Sequence, residues 1–425
     1  MSPKWQSYRL WFRTSRRVAS MPLAIAIVLA LTLTLTQSAK AQIYTVLFNF
    51  SGQNGAYPEA GLTMDRAGNL YGTTYEGGSS NRGTVFKLVR RGAGWVLSPL
   101  YSFTGRTDGD APIARVVFGP NGTLYGTTEF GGRNCGEGCG VVFNLRPPAT
   151  TCNSSLCPWT EAVLYSFSGS GDGANPGYGD LTFDAGGNIY GTTYFGGNNA
   201  QGVVYKLTPS NGSWTESAIH TFSGTSDGEL PYSGVVFDTG GNLYGTTFAG
   251  GSQGYGTIYQ LTPSGASWAE NTLYSFQSAS DGGSPFGGAV VDAAGNLYGA
   301  TNSGGPGNGG TVYKMTPSNG NWSYDVLYSF TSAAYLPGAY DSLTMDAAGN
   351  LYGTTAKDGA YGYGSVFKLT PSNGGWSETD LYDFPGDSAG AVPYGSVLID
   401  AGGNLYGTAS AGGANGYGVI WEITP

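Results

Sequence analysis

Four Asp-Gly pairs, Asp108-Gly109, Asp172-Gly173, Asp227-Gly228 and Asp281-Gly282, precede a proline by the same spacing, so the chain sets a carboxylate at one recurring place. Carboxylates can accept hydrogen bonds from sugar hydroxyls, serve as general acid and base, or bind hard cations through oxygen. Nearby, four stretches, "TTYEGG", "TTEFGG", "TTYFGG" and "TTFAGG", offer the aromatic surfaces Tyr75, Phe130, Phe195 and Phe248. Those eight residues are the candidate ligand-binding set. The commoner use of Asp-Gly is a turn. None of the pairs matches the spacing of a calcium loop, D-x-[DN]-x-[DN]-G, so no metal and no cofactor is expected.

Other catalytic chemistry is poorly supplied. The single histidine, His220, occupies the place that Tyr101, Tyr165, Tyr274, Tyr328 and Tyr382 hold in equivalent segments, which marks it as a packing substitution. One histidine cannot build a His-rich zinc site, and a Ser-His-Asp triad would have to form on an outer strand. Glu161, Glu216, Glu270 and Glu378 recur at another fixed place, where solvated strand edges account for them. The four cysteines, Cys135, Cys139, Cys152 and Cys157, fall together in one segment. In an exported chain they favour disulfides over a metal cluster.

Export is what the N-terminus predicts. Lys4, Arg9, Arg13, Arg16 and Arg17 precede the uncharged run "MPLAIAIVLALTLTLT", which leads to Ala39-Lys40-Ala41, the pattern of a signal peptide with cleavage after Ala41. The apolar run is short for a membrane span of about 20 residues. Without residues 1–41 the chain keeps 13 of its 19 basic residues and all 28 acidic ones. Nucleic acid is therefore not an expected partner, since its phosphates need a basic surface. The expected location is periplasmic or extracellular, with no membrane span after cleavage.

The elements that must position these residues come from repetition. The tyrosine of "AGNLYGTT" recurs at Tyr71, Tyr125, Tyr190, Tyr244, Tyr298, Tyr352 and Tyr406, with spacings of 54, 65, 54, 54, 54 and 54. Each unit holds a short apolar run (strand A), a turn such as "TGGN", "LYGTT" (strand B), a glycine-rich loop, a run like "GTIYQLTP" (strand C), a turn, and a run like "WAENTLYSF" (strand D). The A-to-B turn starts at Asp and reaches Gly-Asn, as in Asp65 with Gly68-Asn69 and Asp238 with Gly241-Asn242, so these carboxylates are turn-formers. Consecutive apolar residues in strands C and D predict a sheet buried on both faces.

Four antiparallel strands repeated seven times predict an all-β, seven-bladed β-propeller over residues 42–425. The run "IYTVLFNF", residues 43–50, matches strand D, and the chain stops at "GVIWEITP", residues 418–425, which matches strand C. The N-terminal strand is thus expected to complete the last blade and close the ring, hiding two strand edges. In the long second unit the cysteines flank strand C at its two ends, roughly 20 Å or more apart at about 3.3 Å per residue. A disulfide spans only about 4.4 to 6.8 Å between Cα atoms. Local pairs are therefore predicted, Cys135 with Cys139 and Cys152 with Cys157.

The tandem arrangement of "DAAGNLYGTT", "GTVYKMTP" and "LYSF" resembles the bacterial GloVer repeat family over essentially all of residues 42–425. The resemblance implies an exported tandem-repeat protein, often tethered by a C-terminal sorting anchor, with no established activity. This chain departs from that pattern at Pro425, where no apolar tail follows, so anchoring is not expected. The D-x-x-G-N-L-Y turn is also similar to that of lactonase-like and lyase-like propellers, an analogy of fold. The expectation is a monomeric, noncatalytic binding or scaffold module for an extracellular glycan, polymer or protein, on the face carrying the D-to-A and B-to-C loops. The alternative is a propeller enzyme using carboxylates at the mouth of the ring.

Overall fold

"AGNLYGTT" folds as it does because its aspartate, asparagine and tyrosine bind one another. In the computed structural model, Asp238 Oδ1 accepts the backbone N–H groups of Gly240 (2.8 Å) and Asn242 (2.9 Å). Its Oδ2 accepts the Asn242 side chain (2.8 Å) and the Tyr244 hydroxyl (3.0 Å). The same closed set recurs at Asp65, Asp184, Asp292, Asp346 and Asp400. In the second blade Gly119 stands in the aspartate's place, and Asn121, two residues on, donates its amide to Tyr125 Oη at 2.9 Å. The turn therefore fixes the start of strand B and the direction of its tyrosine together.

Those tyrosines leave their own sheet. Tyr71 meets Phe118 edge-on and Tyr190 meets Phe237 edge-on, each on strand A of the following blade. Strand B's glycine is required by an aromatic ring on strand C: a Cβ at Gly72 would lie 2.6 Å from Phe86 Cζ, and one at Gly245 would lie 2.3 Å from Tyr259 Oη. Such residues are buried, and seven apolar clusters result, each built from two neighbouring blades. Cohesion lies between sheets, as expected of strands buried on both faces.

The structure describes residues 42–136, 138–148, 159–278, 280–331 and 338–425. Ile43–Thr424 forms one compact unit of seven four-stranded antiparallel sheets. In the first blade, strands A to D are Thr63–Met64, Leu70–Thr74, Thr84–Arg91 and Gly94–Ser102, hydrogen-bonded in that order. The last sheet runs Leu398–Ile399, Leu405–Ala409, Val419–Thr424, and then Ile43–Asn49 from the other end of the chain. Ile43 pairs with Thr424 and Asn49 with Val419, with a bulge between Val46 and Phe48. The protein is a seven-bladed β-propeller closed by its N-terminal strand.

Cys135 and Cys139 are disulfide-bonded across a Cα separation of 5.8 Å. Cys152 and Cys157 lie outside the described residues, as do residues 1–41. No helix among the described residues is long and apolar enough to cross a membrane.

Candidate functional site

The segments that lead into the A strands surround the propeller axis. In six blades they begin at a residue with positive φ placed before the proline, such as Tyr57, Ala111 and Leu230. That residue is latched on both sides. Leu230 N–H donates to Gln201 O of the preceding blade, and Leu230 O accepts the N–H of Phe248 at the exit of its own strand B. Proline rigidity and the two-sided latch project the next residue of each segment towards the axis.

An aromatic residue stands there in five of the seven segments, directly after the proline in three and two or three residues after it in the others. Tyr178, Tyr232, Phe286, Tyr340 and Tyr394 form a continuous collar, with successive ring centroids 4.8, 4.8, 4.8 and 4.7 Å apart. Ile113 and Glu59 stand in the collar's gap. Behind it, Phe248 packs edge-on against Tyr232 and tilted against Phe286, and Tyr194 lies 4.3 Å from Tyr232. The collar opens on an axial cavity of about 510 Å³. Further along the same segments, this cavity is lined by Arg115, Asp180 and Asp341 and then by apolar A-strand residues such as Val236 and Val291.

The charges enter where the repeat is broken. Five segments run proline-x-x-x-apolar, but Pro176 to Leu181 is one residue longer and Pro337 to Leu343 two longer. Elsewhere the first threonine of "GTT" bridges blades: Thr73, Thr192, Thr246, Thr354 and Thr408 donate to carbonyls of the next blade's segment. At the two lengthened segments that bridge is missing. Thr127 Oγ1 is buried without a hydrogen-bond partner, and the fifth blade has Ala300 instead. The extra residues fall between the proline and the aromatic, whereas Asp180 and Asp341, three blades apart, stand at repeat positions held elsewhere by small residues such as Gly234 and Gly287.

Asp180 holds Arg115, with Nη2 at 2.6 Å and Nε at 2.9 Å from Oδ2, while Arg115 N–H donates to Oδ1 at 3.1 Å. Asp180 raises the guanidinium's pKa against the opposing effect of burial. Asp341 accepts the N–H groups of Ser342 (2.6 Å) and Ser396 (2.7 Å). Burial, with Asp180 facing it, holds the Asp341 carboxyl above the usual range despite those bonds and Arg115. At the rim, burial and then Glu129 push Glu59 up to about 7. Burial raises Glu129 to about 7 as well, against a hydrogen bond from Tyr178.

The eight residues singled out from sequence lie outside the cavity lining. Asp108 accepts from the Tyr101 hydroxyl (3.0 Å), Thr104 N–H (2.8 Å) and Thr104 Oγ1 (2.6 Å). Asp172 is held likewise by Tyr165 and Ser168, Asp227 by Ser223, and Asp281 by Tyr274 and Gln277. His220 takes the tyrosine's place, with Nε2 3.3 Å from Asp227 Oδ2. Tyr75 and Phe130 come together in a second cleft of about 290 Å³, beside an Arg82–Asp110 ion pair of 2.7 Å. Phe195 is 42% exposed against Tyr194, and Phe248 backs the collar. Glu161, Glu216 and Glu270 are half-buried against Asp108, Asp172 and Asp227, not on solvated edges. The collar itself was recoverable from an aromatic recurring every 54 residues, directly after proline in "PYSG", "PFGG" and "PYGS"; at Tyr178 and Tyr340 the spacing holds and insertions displace only the proline.

The Gloeobacter/Verrucomicrobia repeat matches residues 32–162, 137–342 and 234–425. The chain belongs to this repeat family. No curated protein matches it. Among solved structures, a candidate 6-phosphogluconolactonase from Bacteroides uniformis is similar at 17% identity and a TM-score of 0.50, covering 84% of this chain and 98% of its own. A candidate oxidoreductase (glucose dehydrogenase) from Thermus thermophilus aligns at 14% identity and a TM-score of 0.42, over 90% of this chain and 100% of its own. At such identities the likeness is one of fold.

Proposed function

We propose that this repeat protein is a noncatalytic binding module, exported by its signal peptide, that takes a carbohydrate in the axial cavity. The observation that carries the proposal is the collar Tyr178–Tyr232–Phe286–Tyr340–Tyr394 opening on about 510 Å³ of space. Small-molecule sites have roughly 300 to 1,000 Å³, mostly apolar walls and few polar groups. Aromatic rings cover the C–H faces of a sugar, and carboxylate and guanidinium groups pair with its hydroxyls. The outer aspartates are the weaker candidates, because their own loops already occupy their oxygens. A glycan array on the full chain, followed by calorimetry, tests the site. Replacing Tyr232 and Phe286 together by Ala is expected to lower glycan affinity at least tenfold while the propeller still melts cooperatively. Unchanged affinity in that variant overturns the placement, and an array without a single binder overturns the ligand class.

A second reading, a lactonase-like or lyase-like enzyme, is favoured by one feature. Glu59, at about 7, stands at the cavity rim with a proton to give near neutral pH. Turnover of a sugar lactone or acidic polysaccharide that disappears in Glu59→Gln would support it; no turnover by the unaltered chain rejects it.

A further inference from the structure

The cavity's charges do not balance. Among the described residues, its ionisable lining, tyrosines apart, is Glu59, Arg115, Asp180 and Asp341, with no lysine or histidine. Arg115 is already matched by Asp180 through two nitrogen contacts to one oxygen and a backbone N–H to the other. Asp341 has two backbone N–H donors but no cation of its own. Glu59 faces further carboxylates, Glu129 and Glu76, rather than a base. Two carboxyl groups therefore stand inside an aromatic-walled space with no ion pair of their own among the described residues, Arg115 being paired to Asp180. Carboxyl groups so placed hold on to their protons, and a cation arriving beside them favours the ionised form and pairs with it. A phosphate or uronate would be repelled there. A neutral sugar would leave both carboxylates as they are.

We infer that the axial cavity selects a ligand bearing a protonated amine or quaternary ammonium group, with Asp341 and Glu59 as its counter-ions and the aromatic collar as its wall. The same group gains from both features, since a cation is attracted by carboxylate and by the faces of aromatic rings. The excess of acidic over basic residues in the whole chain also draws cations towards it. The inference rests on the axial cavity being the binding site and deepens that reading by naming the ligand's charge. An amino sugar and a free quaternary ammonium compound are two sources of this chemistry.

Calorimetry on the full chain separates them, using a glucosamine oligosaccharide, its fully N-acetylated counterpart, and tetramethylammonium. The glucosamine oligomer is expected to bind at least tenfold more tightly than the acetylated one and to be displaced by tetramethylammonium. Asp341→Asn and Glu59→Gln are each expected to weaken the cationic ligand fivefold or more. Asp341 also holds two backbone N–H groups, so Glu59→Gln carries the test if the first variant fails to fold. Equal affinity for the amine and its acetylated form overturns the charge inference and leaves the carbohydrate reading standing. Binding of tetramethylammonium alone, lost in Glu59→Gln, supports the inference and removes the carbohydrate reading. Absence of binding by all three probes overturns the inference.

Discussion

Asp108, Asp172 and Asp227 each face a glutamate on strand D of the following blade, respectively Glu161, Glu216 and Glu270. Burial, then the aspartate opposite, pushes Glu161 and Glu216 up to about 7 from an ordinary 4.5. Glu59, Glu129 and Glu378 reach the same value, chiefly through burial. The folded chain therefore keeps protons that the unfolded chain releases. Stability from these groups is complete below about pH 4.5 and is lost as pH rises through about 7. The turn aspartates act oppositely. Burial would raise Asp65 and Asp238, but bonds from Asn69 and Tyr71, and from Asn242 and Tyr244, outweigh it and hold both below 3.8, so their contribution fades only in stronger acid. Scanning calorimetry is expected to give its highest melting temperature at roughly pH 4 to 5 and a lower one at pH 8. A melting temperature that rises from pH 5 to pH 8 contradicts the assignment.

Strand B and strand C are joined by a ring over a glycine, and that contact can be measured. A methyl group at Gly245 meets Tyr259 Oη at 2.3 Å, whereas one at Gly241, with φ +84°, meets nothing within 4 Å. Gly245→Ala is expected to cost about 1 to 3 kcal/mol by overpacking, and Gly241→Ala about 1 kcal/mol through backbone strain alone. Tyr259 Oη is buried with no hydrogen-bond partner, so Tyr259→Phe should be close to neutral and should recover part of the Gly245→Ala loss. Additive melting temperatures in the double variant would show that the clash is relieved elsewhere. Phe86, Phe143 and Phe367 already fill this place in other blades. That the glycine belongs to a turn-and-strand motif was legible in the repeat; that a ring on strand C demands it was not, because the pairing of Gly245 with Tyr259 is a matter of register.

For the whole molecule, the closing strand is the weak point. Ile43–Asn49 supplies the last blade's fourth strand, and its Tyr44 stacks on Tyr382 of the preceding blade at 3.7 Å. Tyr44 Oη donates to Ala389 O at 2.5 Å, and Phe50 is fully buried between the last and first blades. Deleting residues 43–50 exposes the edge of Val419–Thr424 and opens that seam. The expected outcome is a melting temperature lower by roughly 10 °C or more, on the order of several kcal/mol for a buried aromatic and its neighbours, or aggregation on expression. A truncated chain that melts with the parent would mean that the ring holds without its closing strand.

The sequence by itself determined the ring. Seven copies of one unit, each with a capped turn, a glycine-bearing strand B and a strand D, specify seven blades through contacts within a unit or between neighbours, and such contacts repeat wherever the residues repeat. The closure by residues 43–50 and the Cys135–Cys139 pair were legible for the same reason, one from a unit cut in two and the other from two cysteines on one loop. What only the tertiary structure decided is the axis. Tyr178, Tyr232, Phe286, Tyr340 and Tyr394 lie 54 residues apart in the chain, one repeat each, and Asp180 and Asp341 replace small residues of the repeat in blades three apart. Periodicity gives the five aromatics one place in the unit, but it does not bring them together in space. Closing the ring does, because it places the same short segment of every blade around one axis, where a departure from the repeat becomes a neighbour of every other.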